Sequence, residues 1–221
     1  MENLSANLNG PGVIHLVGPN GSGKSTAVEV VAGYLRPWSG RVLVNGMLPH
    51  RVEARSGRAV VRSLPALYSK MTVSDHLVFS ARARHSRNGH DELMARADQY
   101  GLLPWMDYAA DQLSTGNKRK LWILMCTGGK PRTVVLDEPF DGLDADGIEA
   151  LVNEINLWRE TRMVVVVAHR VAVKLRCDLS FSLPAGQVVP WVAAAENVEP
   201  SSRWSDADSG GERQGLSRVS D

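Results

Sequence analysis

The residues best suited to chemistry in this chain are Gly18-Pro19-Asn20-Gly21-Ser22-Gly23-Lys24-Ser25-Thr26. Gly, four residues, Gly-Lys and then Ser is the order of a loop that cradles the phosphates of a nucleoside triphosphate. The glycines at 18, 21 and 23 can take positive φ and carry no Cβ, so backbone N–H groups can turn inward around phosphate oxygens. Lys24 neutralises charge there, and the Ser25 hydroxyl can ligate Mg²⁺. A second pair of candidates is Asp137-Glu138, which follows the apolar run Val134-Val135-Leu136 and precedes Pro139. An acid at the carboxyl end of a buried parallel strand faces the ligand edge of the sheet, so Asp137 is expected to reach the Mg²⁺ held by Ser25. Glu138, one residue further on, is placed to polarise an attacking water. The alternative, two exposed acids on a surface turn, fits poorly with the apolar residues just before them.

These groups need elements to hold them. Val13, Ile14, Leu16 and Val17 predict a short buried strand before the loop, and residues 24–34 predict a helix after it, with Val28, Val31 and Leu35 on one face. The amino end of that helix adds its partial positive charge at the phosphates, which distinguishes the segment from a mere Gly-rich turn. Strands are expected at 133–136 and 163–168 and helices at 118–127 and 144–160. In the longest of these helices Ile148, Leu151, Val152 and Ile155 form one apolar stripe. The unbroken run Val164-Val165-Val166-Val167 predicts a parallel sheet covered on both faces. Alternation at residues 4–8 suggests a half-exposed edge strand, and residues 41–45 a further strand. Residues 74–101 are charged and helical in period, with Leu77, Val78, Ala81, Leu93, Met94 and Ala97 as inward positions. Short final strands are expected at 179–183 and 188–192. After them Ser, Gly, Asp and Arg dominate, and residues 193–221 are expected to be disordered.

Bulk composition excludes several classes. Lys+Arg 25 against Asp+Glu 24 gives a net charge of +1, so no global field draws the chain to nucleic acid or anionic lipid. The 221 residues suffice for one substantial core with room for a subdomain. Cys126 and Cys177 have no companion at metal-ligand spacing and read as buried thiols in a reducing compartment. There is no run of about eighteen apolar residues and no basic amino-terminal region followed by an apolar stretch. The chain is therefore expected neither to span a membrane nor to carry a secretory signal.

Between the two acidic and phosphate motifs lies Leu113-Ser114-Thr115-Gly116-Asn117-Lys118-Arg119-Lys120. Taken alone it is an N-cap before a basic helix, but it resembles the Leu-Ser-Gly-Gly-Gln signature of the ATP-binding cassette (ABC) family, with Thr115 and Asn117 as departures. The resemblance implies that Ser114 and Gly116 face the γ-phosphate of ATP on the opposite subunit. It also identifies Asp137-Glu138 as the Walker B end and Asp141-Gly142-Leu143-Asp144 as the D-loop, with Asp144 among the ATP contacts. His169, after the strand at 163–168, resembles the switch histidine; an isolated histidine at a strand end is usually structural, but order and spacing here favour the functional role. Two further departures stand out. Ser63 occupies the place of the Q-loop glutamine, and no aromatic residue precedes Tyr34 to stack on adenine.

The resemblance covers residues of about 4–192 and implies an α/β fold: a P-loop NTPase three-layer core with a mostly parallel sheet, a small antiparallel β part and a helical subdomain at about 71–120. It implies an ATPase using ATP and Mg²⁺, with Glu138, His169 and Lys24 as catalytic groups and Ser25 and Asp137 as metal ligands. The partners implied are a second ABC cassette and a transmembrane permease on a separate chain, docked through residues 71–108, with the protein peripheral on the cytoplasmic face of the cell membrane. The alternatives are a soluble ABC ATPase acting on nucleic acid or ribosomes, and a regulatory cassette paired with a more active one. Arg82, Arg84, His85 and Arg87 form a basic cluster that reads as a solvated helix face, and no nucleic acid is expected.

Overall fold

The computed structural model describes residues 4–84, 89–169, 172 and 174–190. The chain runs β1 (Gly12–Val17), α1 (Lys24–Ala32), β2 (Arg58–Val61), α2 (Val73–Ala83), α3 (Gly89–Gln99), α4 (Thr115–Thr127), β3 (Thr133–Asp137), α5 (Ala145–Trp158), β4 (Met163–Val167), β5 (Leu179–Ser182) and β6 (Gln187–Pro190). The strands form one sheet in the order β2-β3-β4-β1-β5-β6. All neighbours pair in parallel except β5 and β6.

Period-two side-chain alternation splits the sheet into two apolar faces. Val13, Val134, Leu136, Val164 and Val166 pack with Leu121, Ile123 and Leu124 of α4 and Leu151, Val152 and Ile155 of α5. Ile14, Leu16, Val135 and Val167 turn the other way and meet Val28 of α1. This is the three-layer α/β arrangement that the apolar runs predict. Each helix end has a local cause. Thr72 and Asp75 form a capping box at the start of α2, with the Asp75 N–H donating to Thr72 Oγ1 at 3.0 Å, a device that stabilises by about 1 kcal/mol. At the end of α1, Gly33 has φ 81° and a Cβ there would lie 2.4 Å from Pro49 O, so only glycine fits.

Several expectations need correction. Residues 4–9 form no strand, and at 41–45 there is only a single bridge between Val44 and Met47. Both stretches are strand-like in sequence, but among the described residues no neighbouring strand supplies the ladder bonds that would fix them. The regular antiparallel pairing lies in β5–β6 instead. Leu35 does not join the α1 core face; the helix stops at Ala32 and Leu35 is exposed. Arg84 is not a solvated charge, since its guanidinium donates to Cys126 O at the end of α4 and burial pushes its pKa down. Arg82 is exposed, as expected; His85, Arg87 and the tail at 193–221 lie outside the described residues. Burial pushes the Cys126 and Cys177 thiols up to about 12, so both stay protonated at neutral pH.

A polar cluster fastens α3 to α5. Arg96 Nε donates to Glu154 Oε1 at 2.5 Å, Arg96 Nη2 donates to Glu154 Oε2 at 3.0 Å and to Thr127 Oγ1 at 2.6 Å, and Tyr100 OH donates to Glu154 Oε2 at 2.9 Å. Trp158 stacks near the Arg96 guanidinium at 5.7 Å. Removing one partner of such a buried pair leaves an uncompensated charge and typically costs about 3–5 kcal/mol. Glu154→Ala should therefore lower the Tm sharply in differential scanning calorimetry. Glu149→Ala, which breaks the exposed Lys174–Glu149 pair, should leave it almost unchanged; equal Tm values for the two variants would contradict this role of Glu154.

Candidate functional site

β1 ends in the loop at residues 18–26, and at Gly18 the contacts leave no room for a larger residue. A Cβ on Gly18 would lie 2.5 Å from both Leu183 O and Ser22 Oγ. Gly23 caps α1 at φ 95° with no side-chain hydrogen bond, so the first amides of α1 are left to an external acceptor. Ser22 Oγ is buried and has no hydrogen-bond partner. An orphaned hydroxyl of that kind costs about 1–3 kcal/mol, and a phosphate oxygen is the partner that would remove the cost. Lys24 Nζ folds back onto its own loop, donating to Gly18 O at 2.7 Å and Pro19 O at 3.1 Å. Ser25 and Thr26 are exposed at the amino end of the helix, as are Pro19, Asn20 and Gly21 at the loop tip.

The parallel sheet carries the other groups to the same edge. Leu16 of β1 and Asp137 of β3 are both level with Val167 of the intervening β4. Two strand spacings therefore separate the backbone at Leu16 from that at Asp137, roughly 10 Å. Asp137 is buried. Desolvation pushes its carboxyl pKa up, against the opposing pull of the Arg119 charge and a hydrogen bond from the Ser63 backbone. A buried carboxylate held charged at a cost suits a hard cation, and together with the Ser25 hydroxyl it supplies the oxygen donors that fit Mg²⁺.

Glu138 leaves the strand at φ 46°, in the left-handed region rarely used by residues with a side chain. Its N–H donates to Val167 O at 2.7 Å. Its carboxylate faces His169: Oε2 accepts from the His169 N–H at 3.1 Å, and Oε1 lies 3.4 Å from His169 Nε2. Two residues identified separately in the sequence are thus neighbours. Strain of this kind at a sheet edge, beside a phosphate loop, points to function rather than to folding.

Ser114, Gly116 and Asp144 form a second group. Ser114 caps α4, its Oγ accepting from the Asn117 N–H at 3.1 Å. A Cβ on Gly116 would lie 3.0 Å from Gly142 O, so the first turn of α4 packs against residues 141–144. Asp144 caps α5 through Oδ1, which accepts from the Gly147 N–H at 2.8 Å, and its Oδ2 meets Lys120 Nζ at 2.8 Å. Those two bonds, the Lys120 one foremost, hold its carboxyl below the usual range. Among the described residues no side-chain hydrogen bond joins this group to the loop at 18–26.

Sequence reasoning left three participants unassigned. Arg62 pairs with Glu29 of α1 at 2.6 Å and lies 5.4 Å from the Tyr34 ring centroid, so Tyr34 is occupied by a protein cation. The third is Arg119, which donates to backbone carbonyls at the ends of β2 and β3. One signal was available: Arg119 stands four residues before Ile123, on the buried face of α4.

Among the described residues no helix is long and apolar enough to cross a membrane. The family model described as ABC transporter matches residues 1–141. The chain is 31% identical over 180 residues to the taurine import ATP-binding protein TauB of Ruegeria pomeroyi, covering 77% of this chain and 65% of that relative. It is 32% identical over 167 residues to the putative 2-aminoethylphosphonate import ATP-binding protein PhnT of Salmonella typhimurium, covering 72% and 44%. The chain thus spans less than the full length of these curated relatives. A solved ATP-binding subunit of an ABC transporter superposes with a TM-score of 0.74 at 25% identity, over 81% of this chain and 78% of that one. A dimeric ATP-binding cassette in a post-hydrolysis state bound to ADP and Pi superposes with a TM-score of 0.70 at 19% identity, over 85% and 89%. A family match covering more than half of the chain, on a fold shared with solved ATP-binding cassettes, establishes that the chain belongs to the ABC transporter family.

Proposed function

We propose that the chain binds and hydrolyses ATP with Mg²⁺ and energises a separate transmembrane permease, working as one of two cassettes at the cytoplasmic face of the cell membrane. The observation that carries this reading is the meeting of Glu138 and His169 on the sheet edge that also bears the phosphate loop and Asp137. The names of the import relatives support the transport role, and the dimeric relative supports the pairing of cassettes.

In this reading the loop amides and the amino end of α1 receive the phosphates. Lys24 exchanges the carbonyls of Gly18 and Pro19 for phosphate oxygens, a swap of partners on a flexible side chain. Ser25 and Asp137 would hold Mg²⁺, which would supply positive charge against the phosphates. Glu138 accepts a proton from the attacking water. The hydrogen bond from the His169 backbone keeps its carboxylate oriented, and the exposed His169 ring lies where it can meet the γ-phosphate. Ser114 and Gly116, at the free amino end of α4, are offered to the ATP of the second cassette.

Glu138→Gln should retain ATP binding, lower turnover by about 10²–10⁴-fold and accumulate as dimer in gel filtration with ATP; unchanged steady-state hydrolysis would remove Glu138 as the base. Lys24→Ala should lose ATP in a calorimetric titration, and undiminished affinity would contradict the phosphate-loop assignment. Because the Asp137 charge is held at a desolvation cost, Asp137→Asn should leave the nucleotide-free Tm unchanged or raised, while ATP affinity loses its dependence on Mg²⁺. A fall in Tm with that dependence intact would make Asp137 structural.

A further inference from the structure

Arg119 is 2% exposed and lies in no ion pair with a carboxylate among the described residues. A guanidinium has five N–H donors, and here the acceptors are five main-chain carbonyls. Nη1 donates to Ser63 O at 2.6 Å and Arg62 O at 2.9 Å; Nη2 donates to Asp137 O at 2.9 Å and to Glu138 O; Nε reaches Pro139 O at 3.4 Å. These carbonyls belong to the last residue of β3 and to the residues just beyond β2 and β3, two adjacent parallel strands. Other bonds reach this backbone too, from the Asp141 N–H to Glu138 O at 3.3 Å and from Trp122 Nε1 to Arg62 O at 3.2 Å, but Arg119 joins all five carbonyls through one side chain.

Glu138 is the residue most affected. Its N–H is held by Val167 and its C=O by Arg119, so both of its peptide groups are fixed while φ sits at 46°. The same guanidinium holds Ser63, the residue standing at the Q-loop position, by its carbonyl rather than its side chain. Arg119 is also carried on α4, five residues beyond the Ser114 cap, or about 7.5 Å along the helix axis. Movement of the Ser114 end of α4 therefore reaches Glu138 through one rigid helix and one side chain.

We infer that Arg119 is a positioning residue for ATP hydrolysis, holding Glu138 and Ser63 in place and tying both to α4; the inference rests on the ATPase reading above. It acts through the backbone carbonyl of Glu138. The test uses the full chain with Arg119→Lys and Arg119→Met, each in the native and in the Glu138→Gln background. In the native background Arg119→Met should lower kcat at least about tenfold while the ATP Kd changes less than about threefold. Arg119→Lys, whose ammonium has three donors, should fall between. With Glu138→Gln present, either change should lower the remaining turnover less than about twofold, because the positioned carboxylate is already gone.

Equal fold-losses in both backgrounds, or ATP affinity falling in parallel with kcat, would overturn the inference. Backbone hydrogen exchange supplies a second measurement, which Arg119→Lys keeps usable where Arg119→Met fails to fold. Exchange across residues 134–143 should accelerate in Arg119→Lys relative to the native chain at matched stability, and unchanged protection there also overturns it. A native chain that binds ATP but hydrolyses none removes the ATPase reading, and the exchange result then decides whether Arg119 holds Glu138.

Discussion

Parallel pairing of β1, β3 and β4 is the constraint on which the rest depends. Because these strands run the same way, their carboxyl ends and the loops that follow share one edge of the sheet. If β3 were reversed, its five residues would carry Asp137 to the opposite edge, about 17 Å away. Register matters as much as direction. A slip of one residue between β3 and β4 would turn Asp137 to the other face and exchange the core contacts of Val134 and Val135. The two apolar faces of the sheet, each already covered by helices, prevent that slip, so core packing and site geometry are enforced by the same residues.

Two buried arginines show how charge is managed around that edge. Arg96 is neutralised by a carboxylate, Glu154, away from the phosphate loop. Arg119, close to Asp137 and Glu138, is instead satisfied by carbonyl dipoles. The difference has a physical consequence. The charges of Asp141, Asp137 and Glu138 all act on Arg119, and a direct pair with Asp137 or Glu138 would commit that acid to the fold. Carbonyl partners solvate the cation and leave both acids uncommitted to it, while its field still favours the charged form of Asp137.

Much of the arrangement was legible because local chemistry coincides with global position. Gly18 to Ser25, the apolar run into Asp137 and the stripe of Ile148, Leu151, Val152 and Ile155 are each short-range signals, and the strand expected at 133–136 ends one residue later. Ser114 and Asp144 are read as helix starts and cap their helices. What escaped depends on partners distant in sequence. Alternation at 4–8 and the apolar residues of 41–45 describe strands, yet a strand exists only if another lies beside it. Arg84 carries a charge that suggests water, but a helix-end carbonyl 42 residues away claims it. Arg119 bonds only to main chain, and main chain has no identity that a sequence can display. The proximity of Glu138 and His169 belongs to the same class, since 31 residues separate them.

The folded-back lysine of the phosphate loop carries one more implication. With Lys24 Nζ bonded to the carbonyls of Gly18 and Pro19, the loop contains its own competitor for the ammonium group. An entering anion gains only the difference between its attraction and that of two neutral carbonyls. A singly charged, well-hydrated ion gains little by that exchange, whereas a polyphosphate gains at several amides at once. The internal bonds thus set a threshold that any acceptor must exceed to recruit Lys24 Nζ, and an acceptor of low charge exceeds it least.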